Sequence, residues 1–232
     1  MRTVDDPSGA AQDCRHAMRV RFAPAHDLFA FLARQGYSAT AQAHGWAAVW
    51  EWVREQTLRL PTRRFSLLDL GCADGAIGAL LVEDGFSGTF VGVDFSSSML
   101  ERCRAKNLYA MLIEQDLNDG LGVDRSLRFD LVTAIGVLEF VEDPAPLLVE
   151  TREVLKPGGQ LWVTFEPPEA TISPWKFGRT ADEGVRLLEA AGYRAVAVER
   201  RVGYRAVSLD VDSTLRSLGP EVELAFVRAE PK

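Results

Sequence analysis

The sequence predicts an α/β chain: a doubly wound, mostly parallel sheet of seven strands with helices on both faces, preceded by an N-terminal helical cap. Three observations carry that expectation. From Phe65 onward, short apolar runs alternate with helix-length segments, the pattern of strands buried on both faces. A turn rich in glycine (Gly71, Gly75, Gly78) joins the first strand of that series to the first helix. Ahead of it the composition is different: residues 15–60 hold all three histidines, His16, His26 and His44, and a dense share of the aromatics.

The cap is expected over residues 1–62 and the sheet domain over 63–232. A helix is expected at Asp27 to Gln35. A second runs from Ala39 to Arg59, where Trp46, Val49, Trp50 and Val53 recur at i, i+3, i+4 and i+7, and Pro61 ends it. The first strand, Leu67 to Leu70, feeds the glycine turn and an Ala/Leu-rich helix. The second, TFVGVD, closes at Asp94. Ser98 and Glu101 form a capping-box pair for the next helix. The third strand, AMLIEQ, leads to Asp116, and the fourth runs from Phe129 to Ala134. Asp143 followed by Pro144 is a sound helix start. That helix is expected to reach Leu155 and to stop at KPGG, which turns the chain into a fifth strand, QLWVTF. Thr180 and Glu183 form another capping box, and Gly192 stands in the C′ position of its helix. AVAVER from Ala195 and VELAFVR from Val222 supply the last two strands.

Composition narrows the function classes. A chain of 232 residues is one domain with some embellishment and buries a substantial core. Its net charge of −7, with no long basic run, argues against a nucleic-acid partner. No apolar run approaches the ~18 residues of a membrane span, and the first residues lack a secretory pattern. Cys14, Cys72 and Cys103 are scattered, which suggests a reducing, cytoplasmic setting and no metal site.

The glycine turn carries the chemistry. A strand, a tight turn and a helix start bring backbone N–H groups together at one spot, and glycine lets a ligand approach without a Cβ in the way. Asp94 ends the next strand nineteen residues after Gly75. An acidic residue about 20 positions beyond such a turn is placed to accept hydrogen bonds from ribose hydroxyls. The glycine spacing disfavours a nicotinamide site, which reads G-x-G-x-x-G. Here Asp69, Gly71 and Gly75 give D-x-G-x-x-x-G.

That pattern resembles the first motif of class I S-adenosylmethionine-dependent methyltransferases, and the resemblance covers about Phe65 to Phe165. It implies a Rossmann-like fold, S-adenosylmethionine as methyl donor and S-adenosylhomocysteine as product. By the same resemblance Asp69 helps hold the methionine amino group, and Gly71, Ala73 and Gly75 pack beneath the cofactor. The family often has GCGTG where this chain has GCADG. Asp94 resembles the carboxylate that takes both ribose hydroxyls. Phe95 and Met99 would flank the adenine, and Asp116 and the Leu117 backbone would meet its amino edge. Ile135 and Gly136 would face the methionine arm.

The chemistry at the acceptor end is less fixed. After the fourth strand the family often reads LEH, whereas here the residues are Leu138, Glu139 and Phe140. The candidate bases are therefore Glu139 and, from the histidine-bearing cap, His26. A thiol nucleophile at Cys72 is disfavoured, because no histidine lies near it in sequence. Tyr37, Phe140 and Trp175, the last in the loop from Glu166 to Arg179, are candidate substrate contacts. The aromatic cap (Phe22, Phe29, Phe31, Tyr37, Trp46, Trp50) implies a small, apolar or aromatic acceptor. Two alternatives stay open: a non-methylating or non-catalytic S-adenosylmethionine-binding protein, and a nicotinamide-dependent oxidoreductase.

Overall fold

The computed structural model describes residues 29–30, 32–34, 36–38, 46–170, 176–209 and 215–232. In chain order the elements are α1 (Ala47–Thr57), β1 (Arg64–Leu70), α2 (Ala76–Glu83), β2 (Ser87–Asp94), α3 (Ser97–Ala105) and β3 (Met111–Glu114). They continue with β4 (Phe129–Ala134), α4 (Pro144–Val154), β5 (Leu155–Phe165), α5 (Ala181–Ala190), β6 (Tyr193–Leu209) and β7 (Leu215–Pro231).

The seven strands form one sheet in the order β3-β2-β1-β4-β5-β7-β6. The first five are parallel. β7 runs antiparallel to both β5 and β6, so the sheet is mixed. The reason is the connection: only residues 210–214 separate β6 from β7. A parallel crossover needs a dozen or more residues, whereas an antiparallel pair needs only a short loop.

Alternate residues of each strand feed two cores. Leu67 of β1 and Leu131 of β4 pack with Val49, Trp52 and Val53 of α1 and with Ile77, Leu80 and Leu81 of α2. Leu68 and Leu70 face the other way, onto Leu147 and Leu148 of α4 and Leu188 of α5. Helices therefore cover both faces, as an alternating α/β sequence requires. The strand order reverses between β1 and β4, and the crevice at the strands' carboxyl ends there is where open sheets bind ligands.

Local chemistry agrees with several expectations and moves others. Asp143 caps α4 with Pro144 in its first turn. Thr180 and Glu183 make a complete capping box on α5, and Gly192 stands past that helix at φ +87°. α3, however, starts two residues earlier than predicted, because Ser96 rather than Ser98 accepts the Met99 amide. Asp94 Oδ1 takes the Ser96 amide at 2.9 Å and turns the chain into the helix there. KPGG is not a turn ahead of β5. It lies inside the strand as an irregularity between the Phe129–Leu155 and Leu131–Gln160 pairs. α1 ends at Thr57, ahead of Pro61, and its most buried ring is Trp52, which the predicted apolar stripe omits. Trp52 meets Trp162 at 5.9 Å and Phe226 at 5.2 Å between ring centroids. Of the predicted N-terminal helical cap, most of residues 1–45 lie outside the described residues. Among the described residues no helix is long and apolar enough to cross a membrane.

Candidate active site

The turn after β1 is built from three left-handed residues, Gly71 (φ +64°), Ala73 (φ +47°) and Gly75 (φ +81°). Cys72 N donates to Val93 O at 3.0 Å, and Gly75 N to Cys72 O at 2.8 Å. Ala73 is the one without glycine's freedom, and a non-glycine residue there costs roughly 1–2 kcal/mol. Its amide donates to Asp94 Oδ2 at 2.9 Å, which pins the strained position. Asp94, buried at 6 % exposure, thus accepts one backbone amide on each oxygen.

A second set of interactions lies beneath the turn. Thr133 Oγ1 donates to Asp69 Oδ1 at 2.7 Å, and the Tyr109 hydroxyl to Asp69 Oδ2 at 2.5 Å. Tyr109 in turn accepts the Gly78 amide at 3.1 Å. Its ring fills the space that a side chain at Gly78 would occupy, whereas a Cβ at Gly75 would meet Cys103 first and one at Gly92 would meet Cys72 and Leu112. Burial, opposed by these two hydrogen bonds, pushes the Asp69 carboxyl up to about 6.

The cleft opens above these groups, with about 130 Å³ of space for water-sized molecules. One wall is Gly71, Ala73, Asp94 and Phe95; another is Gln115, Asp116, Leu117 and Asn118. Ile135, Gly136, Val137, Phe140 and Val141 form the third, and Phe29 and Tyr37 reach in from the N-terminal side. Phe29 stands edge-on to Phe95 at 5.2 Å and to Phe140 at 5.3 Å, bridging two walls. Ser38 holds that segment in place, its amide and hydroxyl both donating to Asp74 at 3.2 and 2.5 Å. Asp74 is also 3.5 Å from Lys106 Nζ.

Most of the predicted cofactor residues therefore meet in one place: Gly71, Ala73, Asp94, Phe95, Asp116, Leu117, Ile135 and Gly136 line the cleft, with Tyr37 and Phe140. Asp69, Gly75 and Met99 lie behind its wall. Met99 is fully buried and packs with Ala73 and Ala33, and Gly75 backs onto Cys103 and Tyr109. His26 and Trp175 lie outside the described residues. Sequence reasoning missed Gln115, Asn118, Val137 and Val141. Asn118 clamps two loops: its Nδ2 donates to Asp116 Oδ1 at 2.9 Å and to Phe140 O at 3.2 Å, and its Oδ1 accepts from Glu142 N at 2.9 Å. Its only signal was a side-chain amide two residues after Asp116.

Glu139 lies beside this wall, on the short helix Leu138–Phe140. Its side chain is 4 % exposed, and burial, moderated by Lys176, pushes its carboxyl up to about 7. Glu166 adds to that rise, and Arg179 opposes it. Lys176 Nζ is 2.6 Å from Glu166 Oε2 but 3.9 Å from Glu139 Oε1, and it lies 5.3 Å over the Phe140 ring. Among the described residues no group of His, Cys, Asp and Glu has the makings of a metal site.

Gly71 and Gly136 are both left-handed; a Cβ on Gly71 would collide with Val137, and one on Gly136 would come within 2.7 Å of Trp46. Both walls therefore depend on bare backbone. Gly136 N is held by Thr164 Oγ1 at 2.7 Å.

The family model of a methyltransferase domain matches residues 68–163, the stretch that builds all three walls. A protein of Streptomyces fradiae described as an uncharacterized 37.1 kDa protein in transposon TN4556 is 34 % identical over 132 residues, 52 % of this chain and 38 % of its own length. The ubiquinone biosynthesis O-methyltransferase of Idiomarina loihiensis is 29 % identical over 126 residues, 51 % of this chain and 49 % of its own. The chain thus spans about half or less of the length of these curated relatives. Among solved structures, an S-adenosylmethionine-dependent methyltransferase from Mesorhizobium loti superposes with a TM-score of 0.60 at 24 % identity, covering 79 % of this chain and 97 % of that one. This last likeness is one of fold.

Proposed function

From the premise that this chain carries a class I S-adenosylmethionine-dependent methyltransferase domain, we propose that it transfers a methyl group from S-adenosylmethionine to a small-molecule acceptor. Asp94 carries this reading. It stands at the end of β2 in the cleft wall, next to a backbone that needs Gly71 bare, and its carboxylate would accept from the ribose hydroxyls. Asp116 and the Leu117 backbone would take the adenine edge, with Phe95 against the ring. Ile135 and Gly136 would line the methionine arm.

The bound sulfonium supplies an electrophilic methyl group. The acceptor atom forms the new bond to that carbon, the sulfur keeps the electron pair of the broken bond, and any proton on the acceptor atom must leave. What the chain contributes is position: fixing two reactants in line is worth effective molarities of roughly 10⁵–10⁸ M. Phe29, Tyr37 and Phe140 would form the acceptor side and exclude water, which suits an apolar or aromatic small molecule. Residues 1–62 act in this reading as the cap that closes over the cleft.

A second reading, a binder of S-adenosylmethionine that does not methylate, is favoured by Phe140 standing where a histidine is frequent. Two measurements separate the readings. Calorimetry with S-adenosylmethionine and with NAD should show micromolar-range binding of the first and none of the second. Release of S-adenosylhomocysteine in the presence of a panel of phenols, amines and carboxylic acids should identify an acceptor. Binding without release on any acceptor would favour the second reading, and absence of binding would remove both.

A further inference from the structure

The cleft is smaller than S-adenosylmethionine requires. It has about 130 Å³ of space for water-sized molecules, whereas sites that enclose a drug-sized ligand measure roughly 300–1,000 Å³. An adenosine joined to a methionine belongs to that class. The missing volume is taken up from the N-terminal side. Phe29 crosses the cleft between Phe95 and Phe140, edge-on to both at 5.2 and 5.3 Å, and Tyr37 lines the same space. The other walls have no such freedom: the amides of Ala73 and Ser96 are tied to Asp94, and that of Gly136 to Thr164. Entry of the cofactor therefore requires Phe29 to move.

The segment that carries these rings is fastened to the glycine turn itself. Ser38 engages both oxygens of Asp74, donating its amide at 3.2 Å and its hydroxyl at 2.5 Å. Asp74 stands between Ala73 and Gly75 in that turn and is 5 % exposed. Ala33 packs on Ala73 and Met99, and Arg102 of α3 donates to Arg34 O at 3.4 Å. The Arg102 bond is long and exposed, whereas the pair at Asp74 is charge-assisted and shielded from solvent, so Asp74 is the main fastening. It is also one that can open. Lys106 Nζ lies 3.5 Å from Asp74 Oδ2 and compensates its charge when Ser38 leaves, so release strands no lone buried carboxylate.

We infer that Asp74 and Ser38 form a latch that gates entry of the cofactor: closed, it holds Phe29 across the cleft, and it must open before S-adenosylmethionine reaches Asp94. This rests on the methyl-transfer reading and adds a regulation of the same site. Asp74 is a positioning residue, acting on the ligand only through Ser38 and the rings that Ser38 holds in place. The latch is a property of GCADG: a threonine at that position, as in GCGTG, lacks the second oxygen that takes both Ser38 donors. Only the open fraction of such a two-state gate binds, so weakening the latch raises association rather than lowering it.

Stopped-flow tryptophan fluorescence with S-adenosylhomocysteine tests this on the full chain, with Trp46, which stands against Gly136 of the cleft wall, as reporter. For the unsubstituted protein the observed rate should level off as ligand concentration rises, at the rate of latch opening. Ser38→Ala, which removes the hydroxyl donor without touching the cleft lining, should raise that plateau about tenfold and leave the equilibrium affinity equal or tighter. Ser38→Thr keeps the hydroxyl and should restore the original plateau. Phe29→Ala should also speed association, because it removes the ring rather than its fastening. A rate that climbs linearly with concentration and is unmoved by Ser38→Ala overturns the gate. So does a Ser38→Ala protein that only melts lower, or binds more weakly, with no gain in rate. Absence of S-adenosylhomocysteine binding in the unsubstituted protein and in Phe29→Ala alike would instead overturn the methyl-transfer reading.

Discussion

At Asp94 a single carboxylate serves both the fold and the cleft: it accepts the amides of Ala73 and Ser96 and lines the cleft wall. Replacing it with alanine removes both functions. Hydrogen bonds to a charged group are worth about 1.5–3 kcal/mol each, so S-adenosylmethionine affinity should fall more than tenfold by calorimetry. Two buried amides also lose their acceptor, so the ligand-free protein should melt lower by ~5 °C or more, at about 2–4 °C per kcal/mol for a chain of this size. An unchanged affinity would remove Asp94 from the site. Glu139 gives a prediction of the opposite sign. Its carboxyl is raised from 4.5 to about 7 on folding. Its contribution to stability is therefore fully present below about pH 4.5 and is lost as pH rises through 7, amounting to a few kcal/mol. Urea denaturation should show Glu139→Gln gaining on the unsubstituted protein between pH 5.5 and pH 8. A constant difference across that range would mean that Glu139 titrates normally in the folded chain.

The three walls are loops following β1, β3 and β4, and each is fastened by a polar side chain from another loop or strand. Asp94 holds the first, Thr164 holds Gly136 in the third, and Asn118 joins the second to the third. Asn118→Ala would release Asp116, Phe140 and Glu142 at once. Because Asn118 is exposed, the expected loss is mainly in the cleft: a roughly three- to tenfold weaker S-adenosylmethionine affinity with a melting shift of only a few degrees. Thr180→Ala is the matching control. It breaks the capping box on α5 without touching a residue that lines the cleft, and should cost about 1 kcal/mol of stability with affinity unchanged. If Asn118→Ala behaves like Thr180→Ala, the clamp has no part in binding.

For the whole molecule the division that matters lies ahead of α1, which is core: Val49, Trp52 and Val53 are buried against the sheet. Residues up to 40 supply Phe29, Tyr37 and Ser38, which touch the cleft and its rim. Removing residues 1–40 should leave a folded protein with at least weak cofactor binding and no turnover on any acceptor that the full chain methylates. A truncation reaching residue 62 would also remove Trp52, and truncating one buried aromatic alone costs about 3–5 kcal/mol, so that form should not fold. Retained turnover after the shorter cut would show that these residues do not close the cleft.

The alternation of strands and helices, the turn with its glycines, Asp94 and Asp116 at strand ends, and the helix starts at Asp143 and Thr180 are legible in the chain. All of these are local: each depends on residues within a turn or a strand of one another, and so each leaves a pattern in the chain. The remaining features depend on partners far apart in sequence. Tyr109 filling the space above Gly78, Asn118 reaching Phe140, and β7 inserting between β5 and β6 leave no periodic trace. Nor does the unequal sharing of Lys176 between Glu139 and Glu166. Whether a buried carboxylate is neutralised or left as a base is set by differences of about an ångström between side chains 27 positions apart in the chain, and only folding brings them within that range.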